Sequence, residues 1–221
     1  MSGRIIAISD IHGCLAALDA VLAAIDPRRE DTIVTLGDYA DRGPDVRGVL
    51  ERLIALSKET DLVPLLGNHD EMILDVCRGR TELLADWRLF GGDATLASYG
   101  SSDPAEVWPA HLAFLARCPL AFETERHFFV HANYRADVAL DQLPRKVLMW
   151  ESLKQHVPGP HVSGKTAIVG HTAQKNGEVF DLGYLKCIDT CCYGDGWLTA
   201  LDVESGRCWQ ARKDGVLRKQ G

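Results

Sequence analysis

Asp10 and His12 stand one residue apart, and Asp38 precedes Asp41-Arg42-Gly43 in a string that opens on Gly37. Asn68 and His69 are neighbours in Gly67-Asn68-His69-Asp70. Far along the chain His131, in Val-His-Ala-Asn, and His171, in Val-Gly-His-Thr, each close an apolar run. Carboxylates, imidazoles and an amide oxygen are ligands for divalent cations, and the set Asp10, His12, Asp38, Asn68, His131 and His171 is large enough for two. Two metal ions held close together are a device for hydrolysing phosphate esters.

At the end of an extended segment a two-residue period sends Asp10 and His12 to the same side, where they can share an ion. An Asp-x-His pair alone reads more readily as turn chemistry. Its place before Gly13 and a helical stripe is what marks it. The Asp38 carboxylate has two oxygens with spare lone pairs and can bridge two cations. Arg42 offers a fork that fits a phosphate. Asp41 can orient a histidine, as carboxylates behind metal-site imidazoles do. His69 is the candidate: held by Asp41, its tautomer is fixed and it can protonate a leaving oxygen. Asn68 supplies an amide oxygen for a metal. The other histidines singled out, His111, His127, His156 and His161, lack such context and read as structural or surface residues.

These residues need strands to hold them. Arg4 to Ser9, Thr32 to Leu36 and Leu62 to Leu66 read as buried strands, each running into one of the first three motifs. Between them, Leu15, Leu18, Leu22 and Ile25, then Val46, Val49, Leu50, Leu53 and Ile54, fall at helical spacing. Strands alternating with helices imply crossover units and a mainly parallel sheet, whose carboxyl edge is where such folds place their sites. Residues from about 71 to 117 read mostly as helix, with Asp103, Pro104 and Glu106 resembling a helix start. This block is expected beside the active-site edge, as the source of substrate selectivity. The last third is β-rich: 127–131, 166–169, 178–181, 184–189, 197–203 and 207–211 read as strands, with hairpin turns at Asp181-Leu182-Gly183 and Glu204-Ser205-Gly206. The pattern predicts two packed sheets with helices outside, in one domain over residues 1–221.

The chain has 221 residues, an apolar fraction of 46% and a net charge of −7, which is ordinary for a globular protein and gives no basic footprint for nucleic acid. Seven cysteines, with no CxxC motif, predict reduced thiols in a cytoplasm and a packing role for Cys191 and Cys192. Met1-Ser2-Gly3-Arg4 leads straight into a strand, so no leader is expected, and no apolar run approaches the ~20 residues of a membrane span. The five tryptophans are scattered and read as core or domain-edge anchors rather than a stacking platform.

Taken in order, Asp10-Ile11-His12-Gly13, the string from Gly37 to Gly43, Gly67-Asn68-His69-Asp70, Val130-His131-Ala132 and Gly170-His171-Thr172 resemble the metallophosphoesterase superfamily. The nearest likeness is to its phosphoprotein phosphatase group, in particular the compact bacterial and lambda phage serine/threonine phosphatases. The resemblance extends to Ile188-Asp189-Thr190 and Leu198-Thr199-Ala200-Leu201. It implies an α/β fold of the calcineurin-like kind, an αββα sandwich of two mixed sheets flanked by helices. It also implies two divalent cations, commonly manganese, with iron, zinc, nickel or magnesium as alternatives. Asp10, His12 and Asp38 would hold one ion, and Asp38, Asn68, His131 and His171 the other. A hydroxide between the ions would attack phosphorus in line, Arg42 and Asn68 would bind the phosphoryl group, and His69, paired with Asp41, would protonate the leaving group.

Three positions depart from the family pattern. Ser9 and Cys191 stand where glycine is common, and Ser152 stands where related phosphatases carry a phosphate-binding arginine after the tryptophan matching Trp150. Arg145 or Lys154 is the candidate replacement. The resemblance implies a protein phosphatase acting on phosphoserine, phosphothreonine or phosphotyrosine. The alternative is a dinucleoside polyphosphate hydrolase, which carries nearly the same motifs. A non-catalytic scaffold would be expected to have lost ligands, and all six positions are filled. The expected partner is a phosphoprotein or small phosphorylated substrate, with no nucleic acid and no membrane, for a monomer or weak oligomer.

Overall fold

Residues 3–219 are described by the structure, a computed structural model; Met1 and Ser2, at the start of the stretch where no leader is expected, lie outside them. Three parallel strands, β1 (Ile5–Ile8), β2 (Thr32–Thr35) and β3 (Asp61–Pro64), are joined by helices α1 (Leu15–Ile25) and α2 (Val46–Leu56). The hairpin β9 (Leu198–Asp202) and β10 (Cys208–Ala211) adds antiparallel to β1, giving the order β10-β9-β1-β2-β3. A second sheet runs β4-β5-β6-β8-β7, from β4 (Ala121–Glu123), β5 (His127–Val130), β6 (Thr166–Val169), β7 (Phe180–Asp181) and β8 (Leu185–Cys187).

The sheets pack face to face because their strands are apolar on both sides. Ala7, Val34, Leu36 and Leu65 from the first sheet meet Phe129, Ile168 and Ile188 from the second in a core of their own. The alternate residues Ile6, Ile8 and Ile33, and Phe128, Val130, Ala167 and Val169, face the flanking helices. The result is the αββα sandwich of two mixed sheets expected from the motifs.

Register then decides where chemistry can occur. Ile8 pairs with Thr35 and Thr35 with Pro64, so the segments after β1, β2 and β3 emerge side by side. Phe129 pairs with Ile168, which brings His131 and His171 together at the ends of β5 and β6. The Nδ1 of His131 lies 2.8 Å from the carbonyl oxygen of Leu36, stitching the two sheets at this edge.

Several elements differ from expectation. β3 stops at Pro64, because the Leu66 N–H turns to the Pro119 carbonyl. The helical block opens earlier, with α3 (Asn68–Cys77), and breaks into α4 (Leu84–Trp87), a kink over Arg88–Gly92 where Gly91 leaves helical geometry, α5 (Asp93–Ser98) and α6 (Pro109–Leu115). Asp103 does cap a turn, accepting from the Ala105 N–H, but that turn is the single 3-10 turn Pro104–Glu106. β4 and α7 (Arg145–Trp150), at three and six residues, were too short to show a period.

Asp31 anchors the start of the first sheet. It accepts from the Arg4 backbone and guanidinium and from the Arg28 N–H. Burial alone would raise its pKa, but these bonds hold it down at about 2. A carboxyl lowered on folding stabilises above its unfolded pKa of roughly 4 and loses that contribution as pH falls through the folded value. Asp31→Asn is therefore expected to cost roughly 1–3 kcal/mol at neutral pH. In urea melts the gap from the parent should close between about pH 4 and pH 2; a gap independent of pH would mean that the ionised carboxylate is not what stabilises.

Candidate active site

The predicted residues converge where the two sheets meet. One donor atom each from His12, Asp38 and His69 lies within 4.8 Å of the others, and the same holds for Asp38, His131 and His171. Asp38 belongs to both groups, the position expected of a bridging carboxylate. Asn68 joins the second: its Oδ1 is 3.0 Å from His131 Nε2 and 2.9 Å from His171 Nδ1.

Local backbone is bent to achieve this. Among the described non-glycine residues, positive φ occurs at His12, Asp26, Asp38, Asp41, Arg42, His171 and Cys191. Five of these are predicted site residues, and such strain persists where surrounding contacts over-determine it. Cys191, at φ +66°, occupies the left-handed region that glycine tolerates best, which accounts physically for the glycine common at that place. Gly67 is required by close approach, since a Cβ there would lie 2.2 Å from Asp38 Oδ1.

The donor set fits divalent cations. His12 and His131 each commit Nδ1 to a backbone carbonyl, those of Ala40 and Leu36, and the His171 ring also bonds to the Trp150 backbone. This is the usual support of metal-ligating imidazoles, and it turns the other nitrogen inward. Burial pushes His12 down to about 3 and His171 to about 4, and lowers His131 as well, so these rings are neutral and offer lone pairs. His131 Nε2, Asn68 Oδ1 and the Asp38 carboxylate thus face one another as acceptors, a cluster that a cation satisfies. Burial also works against the Asp38 carboxylate, yet its pKa lies below the ordinary range, because in the acid range where it titrates it is attracted to the surrounding imidazoles of His131, His69, His12 and His171 in their protonated form.

Asp10 sits differently. Its carboxylate accepts from the His171 N–H at 3.0 Å and belongs to neither compact group. Burial and the nearby Asp189 and Asp38 carboxylates push its pKa well up. Asp189, likewise buried, is pushed up to about 6. Three crowded carboxylates call for positive charge between them.

His69 stands apart from the other imidazoles. Its Nδ1 is 2.7 Å from Asp41 Oδ2, and its Nε2 is 2.9 Å from the Arg42 guanidinium. A second Arg42 nitrogen lies 3.0 Å from His12 Nε2. The arginine fork therefore spans the space between the first donor group and His69. Arg145 is held by Glu71, one turn along α3 from Asn68, and Lys154 lies exposed beside Thr172. Ser152 hydrogen-bonds Thr172. Ser9 stays buried and pairs with Thr199 on β9.

Sequence reasoning missed several supports. Asp70 accepts from the N–H groups of Asp38, Tyr39, Ala40 and Gly67, and so shapes the loop that carries Asp38. Trp87, read as a core anchor, is fully buried but also donates Nε1–H to Asp41 at 2.9 Å. Thr95 bonds the same carboxylate at 2.6 Å. Tyr193 stacks on Arg42 with 4.4 Å from the guanidinium carbon to the ring centre. The one signal for Tyr193 was its position just after Asp189-Thr190-Cys191-Cys192; nothing in the spacing linked Trp87 or Thr95 to Asp41.

Comparison with known proteins accords with this geometry. The family model described as calcineurin-like phosphoesterase matches residues 3–195. Serine/threonine-protein phosphatase 1 of Salmonella typhimurium is 30% identical over 208 residues, 89% of this chain and 90% of that protein. A symmetrical bis(5'-nucleosyl)-tetraphosphatase of an Acidovorax species is 43% identical over 74 residues, 33% of this chain and 25% of that one. The solved structure of a candidate diadenosine tetraphosphatase superposes with a TM-score of 0.74 at 20% identity, covering 100% of this chain and 96% of that one.

Proposed function

The chain belongs to the calcineurin-like phosphoesterase family, and from that we propose that it is a metal-dependent phosphomonoesterase that dephosphorylates serine, threonine or tyrosine side chains of proteins. The observation that carries this reading is the single arginine fork of Arg42, aimed between the first donor group and His69. It suits one phosphoryl group with its leaving oxygen beside an acid. The similarity to a protein phosphatase along 90% of its length supports the same reading. The higher local identity to symmetrical tetraphosphatases, over a quarter of their length, makes dinucleoside tetraphosphate the competing substrate.

In this reading Asp10, His12 and Asp38 would hold one divalent cation, and Asp38, Asn68, His131 and His171 the other. The proposed pair is manganese, with iron, zinc, nickel or magnesium as alternatives. Such ions supply Lewis acidity toward the phosphoryl oxygens and toward water. The protein's own residues do the rest. Arg42, its face covered by Tyr193, binds two phosphoryl oxygens in place of the two imidazole nitrogens it now touches. Asn68 faces the same space. Drawing Arg42 onto phosphate frees His69 Nε2. With Nδ1–H fixed by Asp41, the freed nitrogen takes up a proton from solvent water and delivers that proton to the leaving oxygen. The cysteines are free, which accords with a reducing cytoplasm, and among the described residues no helix is long and apolar enough to cross a membrane.

The deciding experiment is manganese-dependent turnover of phosphopeptides against diadenosine tetraphosphate on one preparation; a kcat/KM that favours the dinucleotide overturns the proposal. Arg42→Lys is expected to keep the metal content while raising KM and the inhibition constant of free phosphate roughly 10- to 100-fold, the range of a charge-assisted bond. Arg145→Ala and Lys154→Ala then test for a second substrate cation. A rise in phosphopeptide KM in either, without change in phosphate inhibition, would identify it. If Arg42→Lys binds phosphate like the parent, the phosphoryl group is held elsewhere.

A further inference from the structure

The segment Leu89-Phe90 is the most exposed apolar pair in the helical block, with Leu89 85% and Phe90 50% exposed. It sits at the kink over Arg88–Gly92, where Gly91 leaves helical geometry between α4 and α5. The Phe90 ring meets the His69 ring edge-on, with centroids 6.4 Å apart. The turn is built onto catalytic residues rather than loosely draped over them. The Gly91 carbonyl accepts from the Arg42 N–H at 3.2 Å. Gly91 has φ +112°, and a Cβ there would lie 2.8 Å from the Arg42 nitrogen, so only glycine lets the turn approach so closely. Gly92 lies against the Trp87 indole, which itself holds Asp41.

Exposed apolar side chains fixed in this way beside a proton donor have a direction. A substrate whose phosphoryl oxygens lie on Arg42 and whose leaving oxygen lies at His69 must extend its leaving group past His69; of the two rings in contact with His69, His12 is buried among the donor residues and Phe90 is the exposed one. The neighbouring cation, Arg88, is engaged with Asp93 and the Ser102 carbonyl, so the turn offers apolar surface and little free positive charge. A nucleoside polyphosphate leaving group would bring several negative charges to that surface. An aryl group bonded directly to the ester oxygen brings a ring.

We propose that Leu89 and Phe90 form the leaving-group contact of the active site and select phosphate esters with an aromatic group at the scissile oxygen, phosphotyrosine among protein substrates. This rests on the phosphomonoesterase reading and narrows it. Phe90 makes an edge or stacked contact with the substrate ring and Leu89 covers its rim. Neither takes part in proton transfer.

The test compares the parent with Phe90→Ala and Leu89→Ser in the manganese-loaded enzyme, on phosphotyrosine and phosphoserine peptides of the same sequence and on diadenosine tetraphosphate. Aromatic contacts of this kind are worth roughly 3- to 10-fold. Phe90→Ala is expected to lose about that much kcat/KM on phosphotyrosine, through KM, with phosphoserine turnover within about twofold of the parent. Leu89→Ser, at a site that contributes nothing to the core, should show the same pattern more weakly. Inhibition by free phosphate should not change. Equal losses on both peptides, or weakened phosphate inhibition, would make Phe90 a support for His69 and Arg42 and overturn the proposal. So would unchanged selectivity in both variants. A parent that hydrolyses only diadenosine tetraphosphate overturns the proposed function and this inference together; a parent active on phosphopeptides with variants of unaltered selectivity overturns the inference alone.

Discussion

Asp38→Asn is expected to lose most of the bound metal and at least about 100-fold of the activity, beyond the 10- to 100-fold that supporting residues around a metal typically carry. Asp38 alone belongs to both donor groups, so its loss weakens two sites at once. Asparagine keeps the oxygen that accepts the His69 N–H, now at 3.0 Å, and nearly the same volume, so the loop should hold its shape. Charge makes the outcome more specific. In the metal-free protein the Asp38 carboxylate raises the pKa of both Asp10 and Asp70 by repulsion. Removing it should leave the melting temperature of the metal-free protein unchanged or higher, while the increase on adding manganese shrinks. Ligand binding stabilises in proportion to the logarithm of affinity, so that increment reads the site directly. Elemental analysis gives metal content and thermal melts give the increment. Two tightly held ions with parental turnover would remove Asp38 from the bridging position.

The layout of this candidate site was legible because most of its candidate ligands follow strand ends. An apolar run followed at once by Asp-x-His, Gly-Asp or Gly-Asn-His fixes both the element and the place of the side chain, and parallel register brings such ends together without further information. His131 and His171 were individually ambiguous. What gathers them is the β5–β6 pairing, which no local spacing announces. The supports were illegible for the same reason. Trp87 and Thr95 reach Asp41 across 46 and 54 residues of chain, through short helical pieces joined by a kink at a glycine pair. Their types are equally common in plain cores. Asp70 was visible as part of its motif, but its four backbone bonds belong to the tertiary fold. Arg145 illustrates the reverse case. Its charge suggested phosphate, and the structure pairs it with Glu71, a residue whose position on α3 only the folded chain brings near.

His69→Asn is expected to separate substrates by their leaving groups. Nδ1 of His69 is tied to the buried Asp41, whose carboxylate is in turn held by Trp87 and Thr95. The arrangement fixes the ring with Nε2 toward Arg42, so whatever oxygen departs from a phosphoryl group on Arg42 does so next to that nitrogen. A serine alkoxide is a poor leaving group and needs the proton. A nitrophenolate departs with little help. General acid assistance is typically worth ~10²- to 10⁴-fold. The variant should therefore slow a phosphoserine peptide by that order, and p-nitrophenyl phosphate by roughly tenfold or less. Phosphotyrosine, with a phenol of intermediate basicity, should fall between. Metal content separates this role from the competing one, because His69 also lies within reach of His12 and Asp38 as a third donor. If His69 were a ligand, its loss would remove metal and slow every substrate alike. Arg42 touches Nε2 of both His69 and His12, so the distinction lies at Nδ1: in His69 it is committed to the Asp41 carboxylate, whereas His12 and His131 spend it on a backbone carbonyl and turn Nε2 toward Asp38. That contrast is why the leaving-group dependence, with metal retained, is the expected result.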